Sequence, residues 1–149
     1  MKLLKLFTTI LLIFSFLPTF SHATSTTQTE IISFEDGSYL TVELTTVQSR
    51  STSRTASKTY HYHNLLGTEE WYATLTGTFT YDGTTSKCTL SGVTIGITDS
   101  SWYIVSRESH EEGDTAYGTV VMGVKFLGIT TDKKTVNMSL TCDKNGNLS

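Results

Sequence analysis

The sequence predicts an all-β fold, an antiparallel β-sandwich with one disulfide. Apolar and polar residues alternate with a period of two along most of the chain, as half-buried strands require. The alternating runs are short, and turn pairs such as Asp36-Gly37 and Asp82-Gly83 separate them. We find no convincing stretch with the three-to-four-residue apolar spacing of a helix.

The first 23 residues have the three parts of a secretory signal peptide. Lys2 and Lys5 give a positively charged start, and a mostly apolar run follows over residues 6–17. The sequence Ser21-His22-Ala23 then supplies small residues at a cleavage site. A membrane span needs about 20 apolar residues, so we expect cleavage after residue 23, a secreted protein and no membrane span in the mature chain. A retained signal anchor is the alternative.

The remainder divides into a polar N-terminal arm, residues 24–29, and a single domain, residues 30–149. The chain has a net charge of −3 at pH 7, and loss of two signal-peptide lysines makes the mature protein more acidic. An acidic protein has no electrostatic reason to bind nucleic acid or anionic lipid. We therefore expect no nucleic-acid partner.

The first elements of the domain are a hairpin and a polar loop. Residues 31–47 contain two runs of β-forming residues around Asp36-Gly37 and predict the hairpin. Its second arm alternates, with one apolar face formed by Leu40, Val42 and Leu44. Residues 48–58 predict a solvated loop because serine and threonine occupy most of its positions. An extended pattern resumes at residue 59.

The next two predicted strands span residues 70–81 and 86–98. In the first, odd-numbered residues from Trp71 form a core face, which narrows at Gly77 where the opposite sheet or a bend could come close. The even-numbered positions carry threonines, which we interpret as the solvated face of a strand. In the second, the apolar phase shifts by one residue at Ser91-Gly92, which is typical of a β-bulge.

The C-terminal part predicts a short strand around Trp102, a charged loop over residues 109–115, a long strand over residues 116–128, a loop over residues 129–134 and a last strand. The count is seven or eight strands, which favours a sandwich that is immunoglobulin-like in the loose sense. No proline follows Pro18 to protect an edge strand, so the protein could dimerise through one.

Two cysteines, Cys88 and Cys142, remain after the signal peptide. An even pair in a small secreted domain predicts a disulfide. A metal pair or a reactive thiol is the alternative, although two thiols so far apart in sequence and outside a CxxC motif suit zinc poorly.

The chain from about Lys58 onward resembles a group of small secreted β-sandwich proteins of Gram-positive bacteria. The motifs that match are, in order, "TGTFTYDGTTSKCT", "DSSWYI", "GDTAYG" and "LTCDKNGN". The resemblance implies export, a β fold and paired cysteines. It implies no activity, because none of these motifs encodes a reaction.

Exposed aromatic rings on a sandwich can stack against sugar rings, and the main candidates for such a ligand-binding surface are Tyr60, Tyr62, Tyr72 and Tyr103. His61 and His63 lie two positions apart, so on a strand they share a face and could bind a metal with further ligands. Histidines on a wet strand face would show the same spacing.

We identify no catalytic residues and no cofactor motif. A GxSxG elbow is absent, and serine, histidine and carboxylate residues occur without a local catalytic pattern. The leading interpretation is a secreted, non-enzymatic binding or interaction protein with an extracellular protein or glycan as partner. A carbohydrate-binding module is the alternative, and a small secreted hydrolase comes third.

Overall fold

The structure is a computed structural model that describes residues 25–47 and 52–149. The predicted signal peptide and its cleavage site lie outside the described residues, as do residues 48–51 of the predicted loop. Within the described parts of the chain, every regular element is a strand and all strand pairs are antiparallel. The all-β prediction is confirmed.

The described residues form eight strands, which agrees with the upper predicted number. In chain order they are β1 (Ser25–Ser33), β2 (Tyr39–Val47), β3 (Ser53–His63), β4 (Glu69–Tyr81), β5 (Ser86–Ile97), β6 (Trp102–Glu112), β7 (Thr115–Phe126) and β8 (Ile129–Thr141).

The strands form two sheets, one with the order β1-β2-β3-β4-β5 and one with the order β6-β7-β8. Every strand pairs with its sequence neighbour, so each sheet is a meander. Immunoglobulin domains use Greek-key connections instead. The likeness to that fold therefore extends to the two packed antiparallel sheets and stops at the strand connections.

The core lies between the two sheets. Side chains from β4, including Trp71, Leu75 and Phe79, have no solvent-exposed surface and belong to the same apolar cluster as Val120 and Met122 of β7. Alternation places these residues inside because consecutive side chains of a strand point to opposite faces.

Gly77 marks a close approach of the sheets, as predicted. A Cβ atom at this position would lie 3.1 Å from the Cβ of Ala116 on the opposite sheet and 2.6 Å from the ring of Phe79. The absence of a side chain at Gly77 therefore lets Phe79 and β7 pack against the middle of β4.

An aromatic cluster fills one end of the core. The ring of Tyr62 stacks on Trp71, with centroids 5.1 Å apart, and meets Trp102 edge-on at the same distance. The indole nitrogen of Trp102 donates a hydrogen bond of 2.8 Å to Glu70. These contacts join β3 and β4 of the larger sheet to β6 of the smaller one.

Three segments predicted as irregular are strands. Residues 53–58 begin β3, residues 109–112 end β6, and residues 129–134 begin β8. At residues 109–112 and 129–133 the loop prediction is wrong because a strand that is exposed on both faces shows no apolar alternation. Residues 107–112 and 129–133 are exposed at every position. The polar arm also belongs to the sheet, since residues 25–29 pair with β2 as part of β1.

The predicted β-bulge exists but lies earlier in β5. Thr78 is opposite Leu90 whereas Phe79 is opposite Cys88, so Thr89 is the extra residue. The inward phase therefore changes before Leu90, which is 63% exposed rather than part of the apolar face.

The predicted disulfide is wrong, because Cys88 and Cys142 are free thiols. The thiol of Cys88 donates to the carbonyl of Leu90, and that of Cys142 donates to the carbonyl of Asp143. Each sulfur thus has a hydrogen-bond partner close to it in sequence. Both side chains are buried, and desolvation raises the pKa of each thiol.

Candidate functional site

The outer face of the five-stranded sheet carries a row of neighbouring aromatic rings, which we call the aromatic strip. Its members are Tyr39, His61, His63 and Tyr72. Register brings them together, because Tyr39 is opposite His63 across β2 and β3, while His61 is opposite Tyr72 across β3 and β4. Their sequence neighbours, such as Leu40 and Trp71, point into the core.

The rings of the aromatic strip form two contacting pairs. Tyr39 and His63 stack with centroids 4.8 Å apart and planes 11° from parallel. His61 and Tyr72 lie 5.7 Å apart with their planes tilted by 35°. Tyr72 is 37% exposed and the other three rings are partly exposed, so a ligand in solution can reach the strip.

Tyr72 lies over the backbone of the neighbouring strand β5. Its cross-strand partner is Gly96, and a Cβ atom on that glycine would fall 2.2 Å from the ring carbon that bears the hydroxyl. Only a residue without a side chain allows the ring to lie there. The ring is thereby supported by the sheet while it keeps its exposed surface.

Polar groups hold both histidines of the strip in place. His61 Nδ1 is 2.8 Å from a carboxylate oxygen of Glu69. His63 Nε2 is 3.1 Å from the hydroxyl of Thr41, and its Nδ1 is 3.4 Å from the carbonyl oxygen of Gly67. These contacts fix the imidazole orientations and place hydrogen-bonding groups beside the tyrosine rings.

The two histidines share a face, as predicted, but the structure supplies no ligand set around them. Across residues 25–47 and 52–149, no group of three or more histidine, cysteine or carboxylate side chains is arranged to hold a metal ion. His110 lies on β6 of the other sheet and stacks on Tyr117. The geometry therefore gives the metal hypothesis no support.

Beyond the strip, the threonines of β4 continue onto β3 as a ladder of paired hydroxyls. The rungs are Thr55–Thr78, Ser57–Thr76 and Thr59–Thr74, with oxygen–oxygen distances of 2.9 to 3.0 Å. Cross-strand pairs of this kind stabilise a sheet. The interpretation of the threonines as a solvated strand face agrees with this arrangement.

Tyr60 and Tyr62 are not surface residues, so their assignment to a ligand-binding surface is wrong. Each is 4% exposed and belongs to the core. Desolvation raises the pKa of both phenols. Their position follows from the same alternation that exposes the histidines, since β3 turns its even-numbered residues toward the second sheet.

Tyr103 lies on the outer face of the three-stranded sheet, and so on the opposite side of the sandwich from Tyr72. Its ring covers Gly123, where an added Cβ atom would meet it at 2.6 Å. Its hydroxyl is 2.7 Å from that of Thr130, and the ammonium of Lys125 is 4.4 Å from the ring centre. Tyr72 and Tyr103 therefore cannot belong to one binding surface.

Sequence reasoning missed Tyr39, Thr41 and Glu69 as neighbours of the site. The signal for the first two was available, because Leu40, Val42 and Leu44 define the inner face of β2 and leave odd-numbered residues outside. Glu69 reaches His61 because the register shifts between Tyr62 and His63, and alternation alone does not reveal such a shift.

A separate groove of about 410 Å³ lies along the first two strands. Val42 and Leu44 contribute apolar surface to it, while Glu30 and Lys58 contribute opposite charges. None of the site residues predicted from sequence lines this groove. Its lining residues in the described chain are Gln28, Thr29, Glu30, Val42, Leu44, Lys58 and Ser149.

Comparison with known proteins gives no match to a protein-family model, to a curated protein or to a solved structure. Among the described residues there is also no helix long and apolar enough to cross a membrane.

Proposed function

We propose that this chain is a secreted, non-enzymatic binding protein that holds an extracellular ligand on the outer face of its five-stranded sheet. The observation that supports this most is the aromatic strip, in which Tyr39, His61, His63 and Tyr72 form two contacting, partly exposed ring pairs on one face of the sheet. A binding surface needs accessible apolar area with fixed polar groups beside it. The strip combines both.

The polar surroundings of the strip suit recognition better than catalysis. His61 is engaged by Glu69, and His63 by Thr41 and Gly67. These side chains and the carbonyl can orient a ligand by hydrogen bonds. Nucleophilic catalysis also places a hydroxyl or thiol beside a histidine that a third group orients. In the strip, however, the histidine beside the Thr41 hydroxyl has a backbone carbonyl rather than a carboxylate at its other nitrogen, and both cysteine thiols donate to backbone carbonyls elsewhere.

A glycan is the ligand class that the position of Tyr72 favours. The ring lies over Gly96 and remains exposed, so it offers an apolar platform fixed to a rigid sheet. Sugar rings present flat apolar faces and a rim of hydroxyls. Thr41 and Glu69 are close enough to the strip to hydrogen-bond such a rim.

The experiment is a binding screen with the mature protein, residues 24–149. A glycan array and a panel of extracellular proteins would be probed with the wild type, with Tyr72→Ala and with Tyr103→Ala. Tyr103 is the matched control because it also covers a cross-strand glycine, but on the opposite face. We expect Tyr72→Ala to weaken binding at least tenfold and Tyr103→Ala to leave it unchanged.

Equal loss of binding in both variants, with unchanged melting temperatures, would contradict the assignment to this face. Retention of ligands on the protein panel alone would support the binding function and reject the glycan. Secretion has its own test, since expression with residues 1–23 should release a protein whose N-terminal residue is Thr24.

A further inference from the structure

The tip of the β7–β8 hairpin exposes three large apolar side chains. Phe126 is 69% exposed, Leu127 is 87% exposed and Ile129 is 70% exposed. Phe126 and Ile129 form the last residue pair of the hairpin, and Leu127 and Gly128 form its turn. Clustered exposed apolar residues of this size commonly mark an interaction site.

The backbone of this turn makes the choice of leucine unusual. Leu127 has φ of 50° and Gly128 has φ of 80°, so both residues of the turn adopt left-handed conformations. Such turns favour Asn-Gly or Asp-Gly, because asparagine and aspartate tolerate positive φ better than other side chains. Leu127 makes the turn less favourable and is almost fully exposed, so its side chain adds little to the packing of the fold.

A tyrosine and two lysines lie directly behind the apolar tip of the hairpin. Lys125 is exposed, and its ammonium lies over the ring of Tyr103. The Tyr103 hydroxyl contacts Thr130, the residue after Ile129. Lys133 is also exposed on the same hairpin. From the tip inward, the surface therefore changes from apolar side chains to a tyrosine and two lysines.

A second apolar turn lies at the same end of the sandwich. Leu65 and Leu66, between β3 and β4, are both exposed. Leu65 is next to Gly37 of the β1–β2 turn, and the adjacent Asp36 forms an ion pair with Lys134 of β8. The turn that carries the two leucines and the β7–β8 hairpin thus extend from one end of the fold.

We propose that this end docks on a phospholipid bilayer, with the β7–β8 tip inserted among the lipid headgroups. A projecting two-residue turn is convex, and a fluid interface can surround it on all sides. Tyrosine and lysine are the side chains that favour the headgroup level, where a phenol or an ammonium stays hydrated above an apolar anchor. Lys125 and Lys133 are complementary in charge to lipid phosphates.

The chain as a whole is acidic, so attraction of net charge does not drive this docking. Asp132 lies on the same hairpin, and Lys134 forms ion pairs with both Asp132 and Asp36. The apolar tip should therefore contribute most of the binding. Lys125 and Lys133, which form no ion pair among the described residues, should add a dependence on anionic lipid.

The test is co-flotation of the mature protein with vesicles made of equal parts phosphatidylcholine and phosphatidylglycerol. The informative variant is Leu127→Asn, because asparagine suits the left-handed turn and should leave the melting temperature unchanged or higher. We expect it to reduce vesicle binding at least tenfold. Tyr72→Ala should leave vesicle binding unchanged, which separates this proposal from the proposed function.

A fluorescence arm reports insertion directly. In the Phe126→Trp variant, the fluorescence emission of the introduced tryptophan should move to shorter wavelength when the same vesicles are added. Leu90→Trp, at another exposed apolar position on β5, should not respond. Lack of vesicle binding by the wild type, equal binding by Leu127→Asn, or equal spectral shifts at both tryptophan positions would each overturn the proposal.

Discussion

Tyr72 and Gly96 face each other across β4 and β5, and the tyrosine ring occupies the space that a side chain at residue 96 would fill. The same relationship joins Tyr103 to Gly123 on the other sheet. Each glycine lets a large ring lie along the sheet surface. In the five-stranded sheet, this arrangement places an exposed ring next to His61.

Substitution of Gly96 should displace the ring of Tyr72. We expect Gly96→Ala to destabilise the protein by about 1 kcal/mol, because the end of the tyrosine side chain can swing away rather than clash fully. Ligand binding on the strip should fall with it. Urea unfolding and equilibrium binding measure the two effects.

Gly92 provides a matched control on the same strand. An added Cβ atom there would meet nothing within 4 Å. Gly92→Ala should therefore be neutral or should stabilise by up to about 1 kcal/mol through lower chain entropy in the unfolded state. Equal destabilisation by the two substitutions would mean that the position of the Tyr72 ring does not depend on the missing side chain at Gly96.

Each rung of the hydroxyl ladder should contribute only a small free energy to the stability of the fold, and that contribution should come from the hydrogen bond between its two hydroxyls. Thr59→Val or Thr74→Val alone should cost about 0.5 kcal/mol, because each removes one partner of a hydrogen bond. The double variant should cost less than the sum of the two, since no unpaired hydroxyl remains. A double-mutant cycle measured by urea unfolding checks this, and additive costs would show that the rung is not formed.

Both cysteines should behave as buried thiols. Because burial raises the pKa of Cys88 and Cys142, little reactive thiolate should exist near neutral pH. A thiol reagent should react slowly with the native protein and should label two thiols per chain after denaturation. A reducing agent should leave the melting temperature unchanged. A chain that shows no free thiol in denaturant would refute the free-thiol state.

The ion pair between Asp36 and Lys134 should make stability depend on acidity. Hydrogen bonds from Lys134 and Ser38 lower the pKa of Asp36 from 3.8 to about 2. A carboxyl whose pKa is lower in the folded state stabilises the fold above the unfolded pKa, and this contribution disappears as pH falls toward the folded pKa. The advantage of wild type over Asp36→Asn should therefore be present above pH 4 and shrink toward pH 2.

Thermal unfolding of both proteins across that range measures the effect, which should be a few degrees at most because the carboxylate is exposed. Lys134→Met is the companion variant and should keep part of the wild-type pH dependence, because Asp36 still accepts hydrogen bonds from the backbone amide and hydroxyl of Ser38. A constant difference between wild type and Asp36→Asn from pH 5 to pH 2 would contradict the pKa assignment.

The strands with one buried face could be predicted from the sequence. In β2, β4 and β7, alternate positions are apolar because they face the core, and the structure confirms these faces. The C-terminal half of β6 and the start of β8 are exposed on both faces, so the sequence there does not alternate between apolar and polar residues. These strands form through pairing with β7, which a single sequence does not reveal.

The first half of β3 could not be predicted as a strand for a different reason. Lys58 occupies an inward position and lines the groove beside β2, so it interrupts the apolar phase that Ala56, Tyr60 and Tyr62 share. The cysteines show a further limit. An even pair of cysteines in a chain predicted to be secreted favours a bridge, but only the folded backbone determines whether Cys88 and Cys142 point toward each other.

The most direct test of the binding face is chemical-shift mapping by NMR with the ligand retained in the binding screen. Perturbed signals should concentrate at Tyr39, His61, His63 and Tyr72, and should be absent around Tyr103 on the opposite sheet. Perturbations confined to the three-stranded sheet, or a screen in which neither panel yields a ligand, would contradict the assignment of a binding surface to the five-stranded sheet.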